Sequence, residues 1–171
     1  MIQTFDMDSR SRTLLLGMGN PILSDDAVGI RLVSDFRRRL GNVAGLDIVD
    51  DCTAGGMDLL QIIEGYDRLL LVDSIKTRER SGGSWFRFTG DRLRKTVHLT
   101  NIHDANFATT LSLGRLLGMK LPSDQDIHIF AVEVLDNFTF SNKMTDRLER
   151  TYSIYSDEIF YEVRALLCCP Y

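Results

Sequence analysis

The stretch LLLGMGNPILSDDAVGIRL, Leu14–Leu32, decides the fold of this 171-residue chain. TLLLGM (Thr13–Met18) is a short apolar run closed by glycine, the pattern of a central strand covered on both faces. Past Gly17 and Gly19 the period changes. Val28, Ile30, Leu32, Val33, Phe36 and Leu40 follow helical spacing until Gly41 stops them. A buried strand therefore runs through a glycine turn into an amphipathic helix, and two adjacent carboxylates, Asp25 and Asp26, stand at the helix start.

The same alternation continues outward. LDIVDD reads as a second strand, GMDLLQIIEGY as a short helix with Leu59, Leu60, Ile62 and Ile63 turned inward, and RLLLVDSI as a buried strand. GGSWFRFTG alternates between glycines as a hairpin or edge strand does. ANFATTLSLGRLLG is a helix, DIHIFAVEV a strand, and residues 142–167 a long amphipathic final helix. Strands alternating with helices imply an α/β fold, a three-layer sandwich with a mostly parallel sheet and helices on both faces. One domain over residues 13–171 is expected, after a polar N-terminal leader of residues 1–12.

Composition excludes several functions. Apolar residues make up 44% and charged residues 26%, the balance of a globular domain, and a net charge of −4 argues against a nucleic-acid surface. No apolar run approaches the ~20 residues that span a bilayer. Three cysteines, Cys52 and the pair Cys168–Cys169, form neither a disulfide framework nor a zinc pattern, which suits a reducing, cytoplasmic setting. Cys52 reads as a packed thiol.

Open α/β sheets carry their sites outside the carboxyl ends of the strands. Here those ends are Gly19–Asp26, Asp50–Gly56, Asp73–Thr77 and Glu133 onward. A phosphate site after the first strand fails on detail. The dinucleotide fingerprint needs a glycine where Ile22 stands, and at ~4 Å with an effective dielectric of about 20 each aspartate repels a phosphate charge by about 4 kcal/mol. One acid suffices to cap the helix, a role expected of Asp25 or Ser24. Asp26 is then left at the mouth of the crevice. Asp73 ends the buried run LLLV, either as a strand-end cap or as a group held rigidly at a site. Of the three histidines, His128 alternates with isoleucines on a strand face, His98 lies in a connection, and His103 starts a helix that can approach the crevice. Two carboxylates and an imidazole suit Ni²⁺, Zn²⁺ or Mn²⁺. Neither H-E-x-x-H nor G-x-S-x-G occurs.

These segments resemble the hydrogenase maturation endopeptidases, which clip the C-terminal tail from the large-subunit precursor of [NiFe] hydrogenases. The resemblance lies in G-N-x-x-x-x-D-[DE]-x-x-G at Gly19–Gly29, then DDCTAGGMDLL, RLLLVDSI and NIHDANFATTL. It implies a twisted five-stranded, mostly parallel sheet. It also implies that Asp26, Asp73 and His103 are the metal-binding and catalytic residues. Nickel arrives with the substrate, and cadmium or zinc can stand in for it. Gly19 and Asn20 form the turn, and the backbone of Thr53, Ala54, Gly55 and Gly56 faces the substrate as an oxyanion loop. The expected partner is the hydrogenase precursor, recognised by a monomer through surface loops such as residues 77–83 and 136–143. Two other classes fit the same residues: a nickel-sensing module that docks without cutting, and a hydrolase of small peptides or amides.

Overall fold

A computed structural model describes residues 11–77, 82–93 and 102–168; for Leu93 and residues 102–106 it describes the helical backbone alone. Five strands form one sheet in the order β2-β1-β3-β5-β4, comprising β1 (Thr13–Met18), β2 (Leu46–Cys52), β3 (Arg68–Ile75), β4 (Trp85–Thr89) and β5 (Ile127–Glu133). β4 runs antiparallel to β5 at the edge, and the other pairings are parallel. The expected mostly parallel α/β sheet is the one observed, and GGSWFRFTG forms its edge strand.

The strand period of two divides the core. Leu15, Leu70, Val72, Phe130 and Val132 face one way, against α1 (Val28–Leu40) and α5 (Asp146–Cys168). Leu14, Leu16, Leu69, Leu71, Ile127 and Ile129 face the other, against α2 (Gly56–Ile63) and α4 (Ile102–Leu116). All six residues of β1 are buried, as a strand covered on both faces requires. A four-residue α3 (Gly90–Leu93) follows β4. α1 ends at Gly41, whose φ of 63° only glycine adopts without strain.

Two expectations need correction. The final helix begins at Asp146, four residues later than its amphipathic pattern suggests. Lys143 and Thr145 are held by hydrogen bonds to Ser24 and Asp25 instead, so tertiary partners outbid the first helical turn. At the other end, Arg12 lies inside the stretch read as a leader, yet its amide donates to Asp67 and its guanidinium pairs with Asp47 and covers Tyr66. Among the described residues no helix is long and apolar enough to cross a membrane.

Candidate functional site

The chain leaves β1 toward β2 on one side and returns to β3 on the other, so the strand order reverses between β1 and β3. A crevice opens at that point in doubly wound sheets. Here it is a pocket of ≈160 Å³ walled by Met18, Gly19 and Asn20 from the end of β1, Cys52–Gly55 from the end of β2, and Leu23, Asp26 and Asp73.

Glycine geometry makes room for it. Gly19 has φ +145°, and a Cβ there would lie 2.0 Å from the Asp26 carbonyl oxygen. A Cβ on Gly17 would meet the Gly29 carbonyl at 2.7 Å. These glycines serve close backbone packing between the end of β1 and the start of α1, and no phosphate is needed to explain them.

Asp26 sits on a single 3-10 turn, Ser24–Ala27, that leads into α1. One of its oxygens accepts the Asn20 amide at 2.9 Å and the other accepts the Ser74 hydroxyl at 2.6 Å. Each carboxylate oxygen keeps a further lone pair for a ligand. Asp73 lies on β3 in step with Leu69 and Leu71, so it projects on the α2/α4 face, and it accepts the Ser74 amide at 2.7 Å. Ser74 points the opposite way and bridges to Asp26. Two acids 47 positions apart in the chain thus reach one pocket from opposite sides of a strand end.

His103 occupies the first turn of α4, in the layer that covers the Asp73 face, but its side chain lies outside the described residues, as do His98 and Cys169. Among the described residues, no three His, Cys, Asp or Glu side chains gather as a metal site. The pair that is described, two carboxylates in a shared pocket, fits a hard or borderline divalent cation.

The second loop forms one wall of the pocket. Thr53, Ala54 and Gly55 line the pocket, Gly55 is extended (φ −137°), and Gly56 opens α2 with φ +57°. The α2 N-terminus, with its unpaired N–H groups, follows this wall directly. Cys52 is a packed thiol, 4% exposed, and burial pushes its pKa up. It reaches the α2 face because the β1–β2 register slips by one residue between Leu16 and Met18.

Asp25 departs from its expected role. Neither the 3-10 turn nor α1 carries a side-chain cap, from Asp25 or from Ser24. Asp25 is fully buried and accepts hydrogen bonds from the amides of Leu135, Asp136 and Thr145 and from the Thr145 hydroxyl. The Thr145 carbonyl accepts the first amide bond of α5, from Glu149, so Asp25 serves the N-terminus of a helix 120 residues away. Sequence reasoning also missed Ser74, and adjacency to Asp73 was the one available signal. A second buried acid, Glu133, accepts the Thr77 amide at 2.6 Å.

The family model described as hydrogenase maturation protease (HycI) matches residues 30–157. The chain is 36% identical over 108 residues to the hydrogenase 2 maturation protease of Escherichia coli, and 30% identical over 115 residues to the hydrogenase expression/formation protein HupD of Bradyrhizobium diazoefficiens. Each match covers 63% of this chain but 65% and 56% of those relatives, less than two thirds of either. The hydrogenase maturating endopeptidase HybD from Escherichia coli superposes with a TM-score of 0.74 over 90% of this chain and 93% of that one, at 22% identity, which establishes the shared fold. With three quarters of its length inside the family model, the chain belongs to the hydrogenase maturation protease family.

Proposed function

We propose that this protein is an endopeptidase that removes the C-terminal peptide of a nickel-loaded [NiFe]-hydrogenase large-subunit precursor, acting in the cytoplasm. The observation that carries the reading is the convergence of Asp26 and Asp73 in one pocket at the β1/β3 crevice, in a chain of this family. Nickel is cargo of the substrate in this reading. Asp26, Asp73 and His103 hold it, and it anchors the scissile segment in the crevice.

The chain's own residues then have separable tasks. The Asn20 amide and Ser74 hydroxyl fix the Asp26 carboxylate, so its lone pairs are aimed before substrate arrives. One of the two carboxylates would act as general base, taking the proton of the attacking water and returning it to the leaving amine as the C–N bond breaks, and the bound nickel would supply Lewis-acid polarisation. Backbone N–H groups of the Thr53–Gly56 wall face the developing oxyanion at the head of α2. The connection over residues 136–143 carries Phe138 and Phe140, 76% and 79% exposed, and bridges to Leu23 at the pocket wall. That connection is the surface we assign to precursor recognition.

The test incubates purified protein with nickel-loaded precursor, with and without chelator, and follows loss of the C-terminal peptide as a gel shift. Cleavage that disappears with chelator is expected. An intact precursor after prolonged incubation with folded protein rejects the endopeptidase reading.

A further inference from the structure

Asp25 is fully buried, yet its carboxylate's hydrogen bonds go to residues outside its own turn. One oxygen accepts the Thr145 amide at 2.6 Å, and the other accepts the amides of Leu135 and Asp136 at 3.0 and 2.9 Å and the Thr145 hydroxyl at 3.1 Å. A buried carboxylate is tolerated where several donors satisfy it, and a helix N-terminus adds favourable field. The backbone reinforces the same seam: the Asp25 amide donates to the Asp136 carbonyl, Ser24 to the Ser141 carbonyl, and Ser141 back to that of Ile22.

The turn held by this seam is strained. Ser24 has φ +29°, a value that side-chain-bearing residues seldom adopt and that persists only where surroundings over-determine it. The next residue but one is Asp26, whose side chain faces the pocket. Relaxing the turn therefore re-aims Asp26.

We propose that Asp25 is a positioning residue, whose buried carboxylate locks the strained Ser24–Ala27 turn onto the β5–α5 connection and so sets the aim of Asp26. This rests on the endopeptidase reading for its kinetic consequence, although the aim of Asp26 can be read without substrate. Asn is the informative replacement: its volume is the same, but its NH₂ group opposes an N–H donor on one side of the site.

The experiment compares wild type, Asp25→Asn and Thr145→Val, the last removing the hydroxyl donor while keeping the amide. Ni²⁺ alone is titrated into each protein by calorimetry, well below its melting temperature, and kcat and KM are measured on nickel-loaded precursor. Asp25→Asn is expected to weaken Ni²⁺ binding by about 10–100-fold and to lower kcat about tenfold or more, with KM within about twofold. Thr145→Val is expected to show the same pattern at roughly threefold, since one of four donors is lost. A folded Asp25→Asn protein with wild-type Ni²⁺ affinity and kcat, altered only in melting temperature, overturns the proposal. Should Asp25→Asn not fold, Thr145→Val decides, and unchanged affinity and kcat in it overturn the proposal equally. Wild type that binds Ni²⁺ but leaves precursor uncut rejects the endopeptidase reading, while the titration still decides the role of Asp25.

Discussion

A Cβ on Gly29 would lie 2.3 Å from the Met18 carbonyl oxygen and 2.5 Å from that of Val72, so α1 starts in backbone contact with the tops of β1 and β3. Those carbonyls belong to strands and cannot retreat cheaply. Gly29→Ala is expected to destabilise the fold by about 2–3 kcal/mol, lowering the melting temperature by about 5–10 °C in a thermal scan. In the pocket, Asp26→Ala and Asp73→Ala should each reduce precursor cleavage more than about 100-fold while leaving the melting temperature near wild type. Even partners that only orient a ligand cost 10–100-fold. Ser74→Ala removes such a partner, the 2.6 Å hydroxyl donor to Asp26, and is expected to slow cleavage about tenfold. Full activity in all three variants would refute the carboxylate site.

At the scale of elements, the β5–α5 connection reaches the pocket wall through its bridges from Phe140 and Ser141 to Leu23. Asp136 organises its start by accepting the amides of Phe138 and Thr139. Those bonds, with the Thr139 side chain first among the causes, hold its carboxyl down to about 2. Phe138 lies under the Lys76 ammonium and Phe140 bridges to Leu23, yet both rings remain open to solvent. Large apolar side chains exposed beside a pocket mark a docking surface. The double variant Phe138→Ala/Phe140→Ala is expected to raise KM for the precursor severalfold with kcat and melting temperature nearly unchanged. An unaltered KM would remove this connection from recognition.

Across the whole molecule, the outer edge of the sheet is tied to α5 from β4. Trp85 Nε1 donates to Glu158 at 2.7 Å, and Arg87 pairs with Glu162 at 2.6 Å. On the neighbouring strand, opposite Thr89, lies His128, with its Nδ1 enclosed and unpartnered among the described residues. Burial, with Arg87 and Arg68 adding to it, lowers the His128 pKa, and Asp126 opposes the shift. The unfolded chain therefore takes up a proton near pH 6.5 that the folded chain resists. Stability is full above that pH and declines as pH falls from about 6.5 toward the depressed folded pKa. His128→Leu is expected to flatten the melting temperature between pH 5 and 7, and an unchanged slope would shift the cause to other groups.

The alternation of period-two and helical segments determined the α/β class, because burial on both faces of β1 and β3 leaves its mark in continuous apolar runs. The residues just past those runs were equally legible, since a strand end in such a sheet must face the crevice. Asp26 and Asp73 were placed that way, and they do share a pocket. What the linear chain lacked was direction across distance. Asp25 looked like a cap for the helix beside it, and only the folded chain brings the N-terminus of α5 within its reach. The start of α5 slid from Asn142 to Asp146 for the same reason: Ser24 and Asp25 take the donors and acceptors that an amphipathic pattern assigns to a first turn. Ser74 became visible as a bridge only once Asp26 stood opposite it. Local periodicity is written by burial, which each residue carries with it; hydrogen-bond partners are chosen by topology, which no segment carries alone.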